Sequence, residues 1–421
     1  MKKKKADHDD NHNDRISNLP KDVIASIMEY LPIQDVVKTS ILSPKWRYTW
    51  TSVPQLEFTN AFFKKCKHLE TSNVIITRVL LLHNDPIQKF TLCIPRNIPI
   101  STKCLNDWIL NLSNKEIKIL KLVNLQCYPF QTPIGIFSCQ GLTHLDLHSF
   151  KLSFVPDFGV FNSLVNLHLS DIRFESNVSE SLMLGCPSLV TLDISYCLGF
   201  ECIIVHSPVL EVLTVQGDQP TNSICLKKAE NLTHLALLAD VLGNNFETDS
   251  NLIKGLSIIK SIYLGEGYIK MFSIDFPERL QGSLNCLKNV ELYGVDFTQT
   301  RELLFVIALL ESSPNLEKLL IESHSNNMDL GVSHTLDVSK YDHCRFNGLL
   351  TVNIIVKNVC NSTLNFIRIL LAKSTSLEVL SFNIDLGRGH YLIPYISRVL
   401  QQTERASQRV EVEFIYDDLM D

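Results

Sequence analysis

Along most of this chain, apolar residues recur as a short ladder, L-x-x-L-x-L, separated by polar turns or by looser helical stripes. The ladder reads "LTHLDL" at 142–147, "LVNLHL" at 164–169, "LVTLDI" at 189–194, "LEVLTV" at 210–215 and "LTHLAL" at 232–237. Weaker copies are "IKSIYL" (259–264), "LKNVEL" (287–292), "LEKLLI" (316–321) and "LEVLSF" (377–382). Upstream, "IQKFTL" (87–92) and "IKILKL" (117–122) fit as well. From 117 to 316 successive starts lie 25, 22, 25, 21, 22, 27, 28 and 29 residues apart. The last two apolar positions of each copy alternate with outward residues, the period of a strand buried on one face. One such unit cannot bury its apolar face alone. Stacked neighbours can, each inward leucine contributing about 1.5–3 kcal/mol. "SESLMLGCPS" (179–188) and "RELLFVIALLESSP" (301–314) predict return helices, and "GCPSL" and "SSPNL" the turns that end them. The pattern predicts an α/β stack, curved, with short parallel strands on its concave face.

Residues 15–52, "RISNLPKDVIASIMEYLPIQDVVKTSILSPKWRYTWTS", follow a different rule. Pro20 suits the first turn of a helix, and Asp22 suits the positive end of its dipole. Val23, Ile24, Ile27, Met28 and Leu31 then form one apolar stripe at helical spacing, and Pro32 stops it. A second short helix carries Ile33, Val36, Val37 and Ile41 on its buried face. Ser43 and Pro44 read as the cap and first residue of a third, which places Trp46 and Trp50 on one face. Three short helices make a core too small to be robust alone, and a tryptophan beside Arg47 is the composition of an interface hot spot.

Bulk properties narrow the classes. At 421 residues the chain exceeds one compact core, so several units or an elongated array are expected. A net charge of −6 argues against a dedicated nucleic-acid binder. The 12 cysteines contain no C-x-x-C pair, which reads as reduced, partly buried thiols rather than a disulfide framework or zinc site. No 18-residue apolar run occurs, and the opening "MKKKKADHDDNHND" lacks the apolar segment of a signal peptide. The expectation is a soluble intracellular protein, in the nucleus and/or cytoplasm, with no membrane partner. The tail at 1–14 is too polar to order itself, its His8 and His12 included, although "KKKK" is compatible with nuclear import.

On these residues two resemblances rest. "LPKDVIASIMEYLP" followed by "DVVKTSILSPKWRYTW" resembles an F-box of the form common in plants, with Leu19-Pro20 opening it and Ser43, Trp46 and Arg47 closing it. The resemblance implies docking onto a Skp-family adaptor and, through it, a cullin-based ubiquitin ligase of the SCF type. On that basis Leu19, Pro20, Ile24, Leu31, Pro32, Ile41, Trp46 and Arg47 face the adaptor or hold the helices that do, whereas Val23 and Ile27 are assigned to packing. The ladder period is that of leucine-rich repeats, with the usual asparagine mostly missing. Residues 341–382, "YDHCRFNGLLTVNIIVKNVCNSTLNFIRILLAKSTSLEVLSF", resemble the FBD module that follows repeats in plant F-box proteins. Asp342-His343 stands before Cys344 where that module usually has Pro-Glu. The implied order is a tail at 1–14, an F-box at 15–52, repeats at 53–340, an FBD-like strand–helix–strand cap at 341–385 and a C-terminal segment at 386–421.

The outward ladder positions are the candidate partner surface. Those singled out for a substrate protein are His144, Asp146, Asn166, His168, Asp193 and Tyr263. Asp146, His168 and Asp193 fall in one row and are of types that hold metals or move protons. A solvated sheet face also favours cross-strand charge pairs, and no nucleophile, lid or phosphate loop accompanies the row, so no metal, cofactor or catalytic residue is assigned. An inositol-phosphate pocket would need a Lys/Arg cluster that these strands lack. The expected function is a non-catalytic substrate receptor. The alternative is a leucine-rich-repeat scaffold whose F-box engages no adaptor.

Overall fold

The structure is a computed structural model that describes residues 19–42, 46–66, 69–152, 161–174, 186–199, 202–204, 207–218, 220, 223–225, 229–240, 256, 258–274, 284–323, 341–384 and 393–416. The N-terminal tail, Ser43 and Pro44, and most of "SESLMLGCPS" lie outside these residues. The chain divides into two compact units, 1–151 and 152–421.

The first unit opens with two helices, Lys21–Met28 and Ile33–Lys38, followed by short 3₁₀ turns at Thr39–Ile41 and Thr49–Ser52. Pro20 starts the first helix by accepting from the Ile24 amide at 3.1 Å. Pro32 breaks it and begins the next, its carbonyl accepting from Asp35 and Val36 at 2.8 and 3.0 Å. Ile24, Met28, Ile33, Val36, Trp46 and Trp50 form the small core. Of the stretch expected to form a third helix, the described residues 46–52 form a turn at 46–48 and a 3₁₀ turn at Thr49–Ser52, with the Thr49 amide donating to the Trp46 carbonyl at 3.2 Å. Both tryptophans are buried in this stretch.

The chain then enters a parallel sheet directly. Strand Gln55–Phe58 pairs with Lys89–Ile94, which pairs with Ile119–Asn124 and then His144–His148. Leu56, Phe90, Leu120 and Leu145 stand in register, one inward residue per strand. Helices Leu69–Leu82 and Thr102–Ser113 provide the crossovers that parallel strands require, the second capped by Ser101, whose side chain accepts from the Cys104 amide at 3.1 Å. The strand at 55–58 is too short to show the ladder pattern. It is fixed by neighbours: Gln34 Nε2 donates to the Phe62 carbonyl at 2.8 Å, and the Gln88 and Lys89 amides donate to the Pro54 carbonyl.

In the second unit the parallel order is Asn166–Ser170, Thr191–Ser195, Val212–Gly217, His234–Ala239, Ser261–Leu264, Asn289–Tyr293, Lys318–Ser323, Thr351–Val356, Val379–Ile384 and Glu411–Tyr416. The first inward column runs in unbroken register: Leu167, Leu192, Leu213, Leu235, Ile262, Val290, Leu319, Val352, Leu380, Val412. Repeat length decides how the chain returns. In the connections 261 to 289, 289 to 318, 351 to 379 and 379 to 411, whose strand starts lie 28 or more apart, helices Glu266–Ile274, Thr300–Glu311, Asn361–Lys373 and Ile393–Gln401 carry the chain back, while most of the connection from 318 to 351 lies outside the described residues. The 22-residue repeat from 212 to 234 has no room for three helical turns and uses a short second strand, Ser223–Cys225, paired with Cys202–Ile204. Helix Thr300–Glu311 is apolar nearly all round because it is nearly all buried, with Phe305 stacked on Phe272 at 6.1 Å.

Directly after several ladder strands the chain takes a left-handed residue to leave the sheet: Asp171 (φ 51°), Tyr196 (φ 52°) and Gly294 (φ 90°). Gly294 has a second reason, since a Cβ there would sit 2.6 Å from the Glu266 Cβ. The sheet does not end with the FBD-like unit. Residues 393–416 add a helix and the parallel strand Glu411–Tyr416 on Val379–Ile384, which seals the apolar end of the stack.

One buried acid makes a testable liability. Glu302 is 3% exposed and accepts from the Asp296 amide at 2.8 Å. Burial pushes its carboxyl from 4.5 up to about 7. Between those values the native state binds more protons than the unfolded chain, so stability falls as pH rises through the window and is flat above it. Glu302→Gln is expected to stabilise by up to about 3 kcal/mol at about pH 8 and by little at about pH 4. Urea melts at the two pH values check this, and an equal gain at both would place the cause elsewhere.

Candidate functional site

The helical head presents an apolar outer surface. On helix Lys21–Met28, Ile24 and Met28 point inward while the adjacent stripe, Val23 (40% exposed) and Ile27 (43%), points out. This corrects their assignment to packing. A stripe five residues wide is more than a two-helix core can cover, and burial goes to the positions nearest the second helix and the tryptophans. Leu19, Pro20, Leu31, Pro32 and Arg47 are exposed, and Ile41, expected on a buried face, is 83% exposed beside Leu42. Tyr30 and Tyr48 add further exposed aromatic surface. Ile24 and Trp46, each 6% exposed, lie inside. Of the eight residues singled out, six are therefore at the surface and these two hold the helices that present them. Val23 and Ile27 were legible as candidates too, because a single apolar stripe too broad for its core signals a second contact face.

The outward face of the sheet is a lattice of cross-strand pairs. In the first unit Asp146 accepts from Lys121 at 2.5 Å, Lys89 pairs with Glu57 at 2.6 Å, and His144 Nδ1 lies 2.8 Å from the Thr143 hydroxyl. In the second, His168 Nδ1 is 3.1 Å from Asp193, which also accepts from the Ser195 hydroxyl at 2.6 Å. Burial raises the Asp193 carboxyl, but the hydrogen bonds from His168 and Ser195 outweigh it and hold it below the usual range. Asp146 and Asp193 thus each have their own cation or donor within their own unit, the pattern of a solvated ladder face. Asn166 stands half-buried in the same face.

Farther along, Tyr263 lines an open hollow of about 780 Å³ over the strand ends, with Gln216, Ala236, Leu238, Glu291 and Tyr293 among its walls. Tyr293 Oη donates to Glu291; burial and that bond both push the phenol above its usual value, so it remains a donor. Glu266 at the rim is paired with Lys270. Glu291 also borders a second hollow of about 440 Å³ with Lys318, Leu320, Asn353 and Ser381.

Glu311, His343 and Cys344 also converge. Cys344 Sγ donates to Glu311 at 2.8 Å and His343 Nε2 lies 3.0 Å from the same oxygen. Burial, then the Glu311 carboxylate, pushes the thiol up to about 12, so it stays protonated and pins this loop to helix Thr300–Glu311. A second carboxylate at 343, as in the usual Pro-Glu, would repel Glu311; the histidine attracts it. Cysteines 139, 186 and 197 are likewise held up at about 12, chiefly by burial, and are unreactive. No helix among the described residues is long and apolar enough to cross a membrane.

Together these features define a class: a small helical head with an apolar outer face, followed by a leucine-rich-repeat sheet with a polar, hollowed face. The comparisons agree at both ends. Residues 16–57 match the F-box domain, and residues 105–321 match the family "FBD-associated F-box protein At5g56370, LRR repeats". The chain is 31% identical over 422 residues to the F-box/FBD/LRR-repeat protein At1g13570 of Arabidopsis thaliana, covering 96% of this chain and 99% of that one. It is 27% identical over 384 residues to At1g78750 of the same description and plant, with 76% and 79% covered. The chain belongs to the F-box/FBD/LRR-repeat family. F-box domains generally bind Skp-type adaptors, and F-box/LRR proteins are typically non-catalytic adaptors.

Proposed function

We propose that this protein is the substrate-recognition subunit of an SCF-type ubiquitin ligase. The head docks a Skp-family adaptor and, through it, a cullin, while the outward repeat face holds a protein to be ubiquitinated. The observation that carries this reading is the exposed apolar stripe of the head, Val23, Ile27, Leu31 and Ile41, on a unit whose tryptophans are already inside. Exposed aliphatic surface on a marginal core is stabilised by a partner. The chain supplies no chemistry on this reading. It converts a bimolecular encounter between substrate and transfer machinery into a local one. It works in the nucleus or cytoplasm, where those partners would be found.

The test is a pull-down of the full chain with a panel of Skp-family adaptors and a cullin, beside a Leu19→Ala/Pro20→Ala variant. Adaptor and cullin retained by the native chain and lost from the variant support the ligase-receptor reading. Capture of neither by either form leaves a repeat scaffold whose F-box engages no adaptor.

A further inference from the structure

The outward column of the second unit passes in register through Thr214, Ala236, Tyr263, Glu291, Leu320 and Asn353. Ala236 is the smallest residue in that run, and beside Tyr263 it opens the larger hollow. The floor there is apolar, from Ala236 and Leu238. Among the described residues, the charged groups on its walls are all acidic: Asp240, Glu266 and Glu291. Lys270, the nearby cation, is already bound to Glu266. Glu291 accepts one bond from Tyr293 and, as a carboxylate, keeps acceptor capacity for more.

The adjoining hollow shares Glu291 and contains an independent sign of a missing donor. Asn353 Oδ1 is buried and has no hydrogen-bond partner among the described residues. A buried acceptor left unpaired is costly, and a turn of the Asn353 side chain that brings Oδ1 to the hollow would let a ligand N–H satisfy it. Lys318 lines this half, so the donor that fits is neutral.

We infer that this groove binds an extended protein segment that seats an arginine or lysine between Tyr263 and Glu291 and offers an N–H to Asn353. This rests on the substrate-receptor reading and supplies its substrate class: a target with an accessible basic segment. The long apolar stem of a basic side chain matches Ala236 and Leu238, and its head matches the tyrosines and carboxylates. Asn353 lies two strands from Glu291, about 10 Å, which three residues of extended chain span. Nucleic acid, with its phosphates, would be repelled by the same walls.

Fluorescence anisotropy with labelled hexa-arginine and its uncharged hexa-citrulline counterpart, titrated with the full chain at about 150 mM salt, tests this. Hexa-arginine is expected to bind, and hexa-citrulline to bind at least about tenfold more weakly. Glu291→Gln, Tyr263→Ala and Asn353→Leu should each weaken hexa-arginine by a similar factor. Glu57→Gln, on the outward face of the first unit where Glu57 pairs with Lys89, should not. Asn353→Leu should also raise the melting temperature, because it removes the orphaned acceptor, so its loss of binding cannot be unfolding. Equal effects from Glu57→Gln and Glu291→Gln would reduce the binding to diffuse attraction by a chain of net charge −6 and overturn the inference. So would no effect from Glu291→Gln. Adaptor capture is read through the head, so a failed peptide titration with capture intact removes this groove and leaves the receptor reading standing.

Discussion

Leu192→Asp is expected to leave residues 152–421 unfolded at room temperature, while Asp193→Ala, one position along, changes stability by about 1 kcal/mol or less. Leu192 is fully buried and stands between Leu167 and Leu213 in the inward column. A carboxylate there loses the leucine's burial and has no cation within the apolar column, a combined cost above about 4 kcal/mol that is comparable with a domain's whole stability. Asp193 faces out, and its loss removes only the contacts to His168 and Ser195. Because its folded pKa is lowered, that small contribution is present at neutral pH and is lost only as the pH falls below the unfolded carboxylate value near about 4. Leu145→Asp should do to residues 1–151 what Leu192→Asp does to the second unit. Thermal melts followed by circular dichroism, with limited proteolysis to locate the damage, distinguish the variants. Equal melting temperatures for Leu192→Asp and Asp193→Ala would mean that the two faces of the ladder are exchanged.

Adaptor binding should be lost in two physically different ways. Trp46→Ala empties the centre of the small head at a cost of about 3–5 kcal/mol, so the head unravels and capture disappears with its structure. Ile27→Asp changes a side chain that is nearly half exposed, leaves the core residues in place and puts a charge where the apolar stripe meets its partner. Its affinity for the adaptor should fall by about 30-fold or more, the equivalent of about 2 kcal/mol, with the head still folded. Tryptophan fluorescence checks folding, since two of the chain's three tryptophans, Trp46 and Trp50, lie in that core. Native fluorescence with native affinity in Ile27→Asp would remove the outer stripe from the interface.

The repeat ladder was legible because burial on a sheet has a period of two and the spacing of copies survives variation in the turns. Every ladder copy from "IQKFTL" to "LEVLSF" coincides with a strand, and the helix over 301–314 with Thr300–Glu311. Strand Gln55–Phe58 was not legible, because four residues carry too little periodicity and its place is set by Lys89–Ile94. Strand Glu411–Tyr416 was missed for the same reason, with "EVEFIY" standing alone after a polar turn.

The head shows the boundary from the other side. Its breaks at Pro20 and Pro32 are properties of proline itself and need no neighbours. Which of Val23, Ile24, Ile27 and Met28 is inside depends on where the second helix and the tryptophans lie, and periodicity alone cannot tell two adjacent apolar stripes apart. Likewise the sequence could name Tyr263 as outward, but not the hollow beside Ala236 or the unpaired oxygen of Asn353, since each depends on residues about 27 to 33 positions away.

By itself, then, the sequence determined the period of the stack, the inward leucines and the identity of the head, all of which rest on local spacing and on the chemistry of single residues. Only the tertiary structure decided which apolar side chains of the head remain uncovered, which charges on the sheet are already paired, and where the outward face is hollow. Those outcomes depend on what packs against what, and burial and pairing are properties of neighbours in space rather than in sequence.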